Sequence, residues 1–122
     1  MILYAPLLMV AVAMNIGNWR MLVLTLVVGT GIFVPIPDEH FYAVCALVEC
    51  LVAASAIIIA APASKFVFRV SIMLVLFHFL GWWLDGYPPE SPYHLLVKIL
   101  EHAELVACIL MSTLFLGKQT DA

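Results

Sequence analysis

The chain has 122 residues, of which 66% are hydrophobic and 11% charged, and its formal net charge is −3. An ordinary soluble domain carries roughly 25% charged residues, and a chain this short has too little interior to hide so much apolar surface. The composition therefore argues against a soluble fold, and the few bases form no patch that could track nucleic-acid phosphates.

Five apolar runs follow in chain order, each a candidate bilayer-crossing helix, for which about 20 apolar residues are needed. The first, 2–16, opens as MILYAPLLM with no basic residues ahead of it, so no cleavable signal peptide is expected. Gly17, Asn18, Trp19 and Arg20 interrupt it, and the second run, 21–34, ends at Pro35-Ile36-Pro37 and the acids Asp38 and Glu39. Both runs are short, yet together they exceed one straight crossing of about 30 Å. The breakers between them predict a hairpin of two short helices or a re-entrant pair.

The third run, 41–61, is rich in alanine and stops at Pro62. Small residues let helices approach closely, which predicts a central or subunit-facing helix. The fourth, 66–84, stops at Asp85-Gly86 and Pro88-Pro89. The fifth, 92–116, starts on Pro92, suited to a first helical turn, and ends before Gly117. The fold class expected is all-α: a polytopic transmembrane helical bundle of five spans, forming a single membrane domain over 1–122.

Basic residues set the orientation. With five spans, Arg20, Lys65, Arg69 and Lys118 fall on one side, while Asp38, Glu39, Asp85 and Glu90 fall on the other. The C-terminus is then cytoplasmic, as in a bacterial inner membrane protein. Tyr42, Trp82, Trp83, Tyr87 and Tyr93 gather at the outer boundary as interfacial aromatics, and Trp19 at the inner one.

Ionisable groups inside a span cost at least ~2.5 kcal/mol each on insertion scales and call for an explanation. Glu49 lies in the third run, His78 in the fourth, and Lys98, Glu101, His102 and Glu104 in the fifth. Glu49, His78, Glu101 and His102 fall at one depth, roughly 10–12 Å below the outer surface at ~1.5 Å per residue. They form one intramembrane polar cluster if their faces meet. Helical spacing puts His94, Lys98 and Glu101 on one stripe continued by Cys108 and Ser112, with His102 and Glu104 flanking it. Lys98 is in reach of Glu101 or His102. Ser71, His78 and Asp85 share a face of the fourth run. His40 and His94 read as ordinary interfacial residues.

No hydrolase constellation or phosphate loop is present, and Gly29-x-Gly31 in an apolar helix cannot cradle phosphate. Cys45, Cys50 and Cys108 form no CxxC pair and read as packing residues, and no metal site is expected. The function expected is a non-enzymatic membrane subunit that assembles with itself or with partner proteins, in its extreme form a holin-like pore with polar faces lining the lumen. Two alternatives carry specific residues. His78 and His102 could ligate haem b in a haem- or quinone-binding anchor of an electron-transfer complex. Glu49 and Glu101 could serve a small proton or ion carrier.

Overall fold

A computed structural model describes residues 3–33, 40–59, 62–84, 86–88 and 90–120, with side chains described as far as Ser112. Among these residues there are five helices and no strand: α1 (Tyr4–Asn15), α2 (Trp19–Phe33), α3 (Phe41–Ile59), α4 (Pro62–Trp83) and α5 (Tyr93–Thr120). The chain is all-helical. Asp38, Glu39 and Asp85, and the side chain of Lys118, lie outside the described residues.

α3 and α4 are the two helices long and apolar enough to cross a bilayer. α1 and α2 have 12 and 15 residues, about 18 and 22 Å of helix, short of a ~30 Å hydrocarbon core. α5 has the length, with 28 residues, but Lys98, Glu101 and Glu104 interrupt its apolar character.

Several boundaries differ from the sequence expectation. α4 begins at Pro62, ahead of the expected 66, because a proline in the first turn lacks only an N–H that would be unpaired there anyway. α5 continues through Gly117 to Thr120, since one glycine weakens a helix by only ~1 kcal/mol and need not end it. α2 begins at Trp19 because Asn18 caps it: the Asn18 side-chain oxygen accepts from the Met21 N–H at 3.5 Å. Gly17 makes the preceding turn with φ of +96°, a conformation that L side chains rarely adopt.

The helices close a ring. α1 packs on α2 and α5, α2 on α3 and α5, and α4 on α3 and α5. The contact of α2 with α5 crosses that ring, so α2 to α5 form a four-helix core and α1 fills the groove between α2 and α5. The backbone of alanine-rich α3 comes close only to α2 and α4, and α3 meets α5 through side chains, as Tyr42 meets Tyr93. α2 and α5 have three neighbours each.

Core residues fall on single faces at helical spacing. On α3 they are Glu49, Val52, Ala53, Ala56 and Ile59; on α4 they include Ser64, Val67, Ser71, Leu74, His78 and Gly81. The outward faces are apolar: Leu47, Leu51 and Ile58 on α3, Leu76, Phe79 and Trp83 on α4, and Leu95, Ile99 and Leu110 on α5 are exposed. Buried Asn15, Thr25, Glu49, Ser71, His78 and Glu104 stand against this greasy exterior. Soluble monomers rarely expose contiguous apolar surface on such a scale.

Close approach depends on glycine at one end of the bundle. A Cβ on Gly81 of α4 would lie 2.6 Å from the Tyr42 ring and 2.7 Å from the Tyr87 ring. Those rings hold it from two sides, so neither can yield freely. Gly81→Ala is expected to lower stability by about 1–3 kcal/mol, as overpacking does elsewhere, seen as a reduced thermal midpoint in detergent by circular dichroism.

Candidate functional site

Glu49 on α3, His78 on α4 and Glu101 on α5 line a single cavity of about 210 Å³, together with Tyr4 of α1 and Gly31 of α2. All five helices contribute to its wall. Glu49 and His78 are 7% and 4% exposed, and one Glu49 oxygen, Oε2, is buried without a hydrogen-bond partner. Phe41 and Cys45 complete the α3 side of the wall.

Glu104 is the most deeply placed carboxyl, at 1% exposure. Its Oε2 accepts a hydrogen bond from the Ser71 hydroxyl at 3.1 Å, and the Glu49 carboxyl lies beside it. Ionised carboxylates are acceptors only. Two adjacent carboxyls can hydrogen-bond each other only with a proton between them, whereas two carboxylates repel. Among the described residues no Lys or Arg acts on Glu49, Glu101 or Glu104.

The polar stripe of α5 is thus rotated from its expected position. His94 and Lys98 are exposed, Glu101 is half-buried, and Glu104, expected to flank the stripe, lies at its centre with Cys108 and Ser112. The cause is the phase of the helix: Lys98 is six positions from Glu104, about 120° round a helix of ~3.6 residues per turn. Lys98 therefore does not neutralise the carboxyls. It borders an outer vestibule of about 440 Å³ with Tyr42, Tyr93 and His94, and Glu101 is shared between this vestibule and the inner cavity.

The two histidines have separate settings. His102 donates from Nδ1 to the Lys98 carbonyl at 2.6 Å, and its Nε2 accepts the Leu3 N–H at 2.9 Å. Its ring stacks on Tyr4 with centroids 4.3 Å apart. His102 thus pairs an otherwise free N–H at the start of α1 and seats that helix on α5. His78 donates from Nδ1 to the Leu74 carbonyl at 2.7 Å, which leaves Nε2 as an acceptor. Phe41 and Tyr93 flank its ring edge-on. Haem ligation by His78 and His102 would break the bond from His102 to Leu3, and these residues do not fit it. Among the described residues no group of three or more His, Cys, Asp or Glu is arranged to hold a metal ion, and the three cysteines are free thiols.

Two polar groupings escape the sequence reading. Asn15, 1% exposed, donates from Nδ2 to the Ala11 carbonyl at 2.8 Å, and to Thr25 Oγ1 and the Cys108 carbonyl, both at 3.4 Å. It fastens the α1–α2 hairpin to α5. The available signal is an asparagine inside an apolar run, the same anomaly that marks Glu49. The outer tyrosines form the second grouping. Tyr87 stacks on Tyr93 at 3.8 Å, donates its hydroxyl to the Phe77 carbonyl at 2.8 Å, and offers its N–H to the Tyr42 hydroxyl at 3.2 Å. They join α3, α5 and the α4–α5 connection near His78.

No family model, no curated protein and no solved structure matches this chain.

Glu104 joins three helices through two partners. Glu104→Gln keeps a group that can both donate and accept, whereas Glu104→Ala leaves Ser71 and Glu49 unpaired in the core. The alanine variant is expected to lose about 1–3 kcal/mol more than the glutamine variant, read as the difference in their unfolding midpoints in the same detergent.

Proposed function

We propose that this chain is a small multi-pass membrane protein that carries protons through its own interior, with Glu49, Glu104 and Glu101 as the proton-binding centre. The observation that carries this reading is the Glu49–Glu104 pair: two carboxyls side by side inside one chain, opening on a cavity, with no basic side chain among the described residues acting on them. A cluster serving packing alone would be cheaper as apolar side chains or as a neutralised ion pair. Ionisable groups kept inside spans commonly mark ion paths and proton relays.

Exchangeable groups continue beyond the pair in both directions. Inward, the Cys108 thiol lies beside the Thr25 hydroxyl, and Thr25 accepts from Asn15 beside the α1–α2 turn. Outward, Glu101 connects the cavity to the vestibule bordered by Tyr42, Tyr93 and His94. The file runs from the turn carrying Arg20 to the end carrying the tyrosines. By the distribution of bases these are the cytoplasmic and outer ends. The bilayer setting draws support from the two spanning-length helices and from the apolar exterior. α1 and α2 serve as a re-entrant hairpin that seals the groove between α2 and α5.

Assembly into a holin-like pore needs a polar face of α5 free to line a lumen. Glu104, Cys108 and Ser112 are instead buried by the same chain, so that reading has less to draw on, although oligomers remain compatible with the apolar exterior. The test is proton flux into liposomes under an imposed potassium potential. Wild-type protein is expected to pass protons, and Glu49→Gln to pass them at least about tenfold more slowly with unchanged helical circular dichroism. Equal flux in the two would overturn the reading.

A further inference from the structure

Three groups that line the inner cavity, Glu49, His78 and Glu101, offer hydrogen-bond acceptors. Glu49 lines the cavity, and its Oε2 is buried without a partner. His78 presents Nε2 as an acceptor, because Nδ1 is committed to Leu74. Glu101 adds a carboxyl on the facing helix. Tyr4 and Phe41 supply aromatic walls to both the cavity and the vestibule, and aromatic faces attract cations. Among the described residues no lysine or arginine lines the inner cavity, and Lys98 belongs to the vestibule only. The size is restrictive: a cavity of about 210 Å³ is somewhat larger than the ~150 Å³ void that admits benzene.

We infer that this cavity binds a small organic ammonium ion, its N–H groups donating to Glu49, Glu101 and His78 and its carbon chain lying against Tyr4 and Phe41. The inference rests on the proposed proton-binding centre, because the proton shared by Glu49 and Glu104 is the one displaced. Charge balances: one ammonium cation enters as one proton leaves the Glu49–Glu104 pair, and the ammonium charge offsets the carboxylate charge that the proton had offset. The groups facing Glu49 are Glu101 and Glu104 from α5, Ser71 and His78 from α4, and Tyr4 from α1. None of these carries a fixed positive charge that would oppose a cation. A bare metal ion would lack use for the aromatic walls, and an N–H-free cation would leave the acceptors unpaired.

The experiment is calorimetric titration of the full chain in detergent with ethylammonium chloride, in two buffers of different ionisation enthalpy. Saturable binding is expected, with about one proton released per ammonium bound. Tetramethylammonium should bind at least about tenfold more weakly, and a large excess of sodium chloride should not compete. Glu49→Gln should abolish the proton release, while Leu110→Ala, on the far side of α5, should leave it unchanged. Absence of saturable ethylammonium binding would overturn the inference, as would binding that survives Glu49→Gln with its proton release, or equal competition by sodium. The two readings fail separately. Liposome proton flux without ammonium binding removes only this inference, and ammonium binding with proton release but without unaided flux removes only unaided proton transport.

Discussion

The constraint on which this structure depends is that its buried polar groups find most of their partners inside the chain, behind an apolar exterior. Glu104 meets Ser71 and Glu49, and through them α5 is tied to α4 and α3. Asn15 ties α1 to α2 and α5 by the same logic, and His102 takes up the Leu3 N–H at the head of α1. In a bilayer the apolar side chains contribute little preference for one neighbour over another, because lipid tails are as apolar as leucine. Specific helix pairing then rests on these few polar contacts and on the close approaches at Gly29, Gly31 and Gly81.

Packing and chemistry occupy the same place in this fold. The ring of helices with α2 set against α5 leaves an interior that the side chains do not fill completely. Glu49 stands at its boundary beside Glu104 and Ser71, with its Oε2 buried and unpartnered. Burying a carboxyl that way costs stability unless a proton or a ligand compensates it. A binding centre has that character: it is held firmly on one side and left unsatisfied on the other. The tyrosines near His78 restrict the outer approach, and Tyr87 and Tyr93 hold each other by stacking. The short hairpin closes the opposite end near Asn15 and Asn18.

Much of the helical architecture is legible in the sequence because apolar runs and their breakers report it directly. The Gly17–Arg20 interruption marks the α1–α2 turn, and the Glu49, His78 and Glu101 positions mark three helices that do share a cavity. The rotation of α5 is not legible. Over a helix of this length a stripe drawn through His94, Lys98 and Glu101 is about as plausible as one through Val97, Glu104 and Cys108, and only the neighbours decide. Asn15 and Thr25 are hidden by a different effect: each is a single polar residue in a run that averages as apolar, and their ten-residue separation becomes a contact only once Gly17 folds the hairpin. The proline at 62 illustrates a third cause, since the same residue type can stop one helix and start the next.

The central claim is that Glu49 and Glu104 hold one proton between them within an apolar shell. Infrared spectroscopy of the protein in lipid bilayers at neutral pH addresses it most directly, because a protonated carboxyl has a carbonyl stretch distinct from the carboxylate bands. A protonated-carboxyl band that disappears on joint replacement of both glutamates by glutamine is the result expected. A spectrum with carboxylate bands alone, unchanged in the protonated region by that double substitution, would contradict the account.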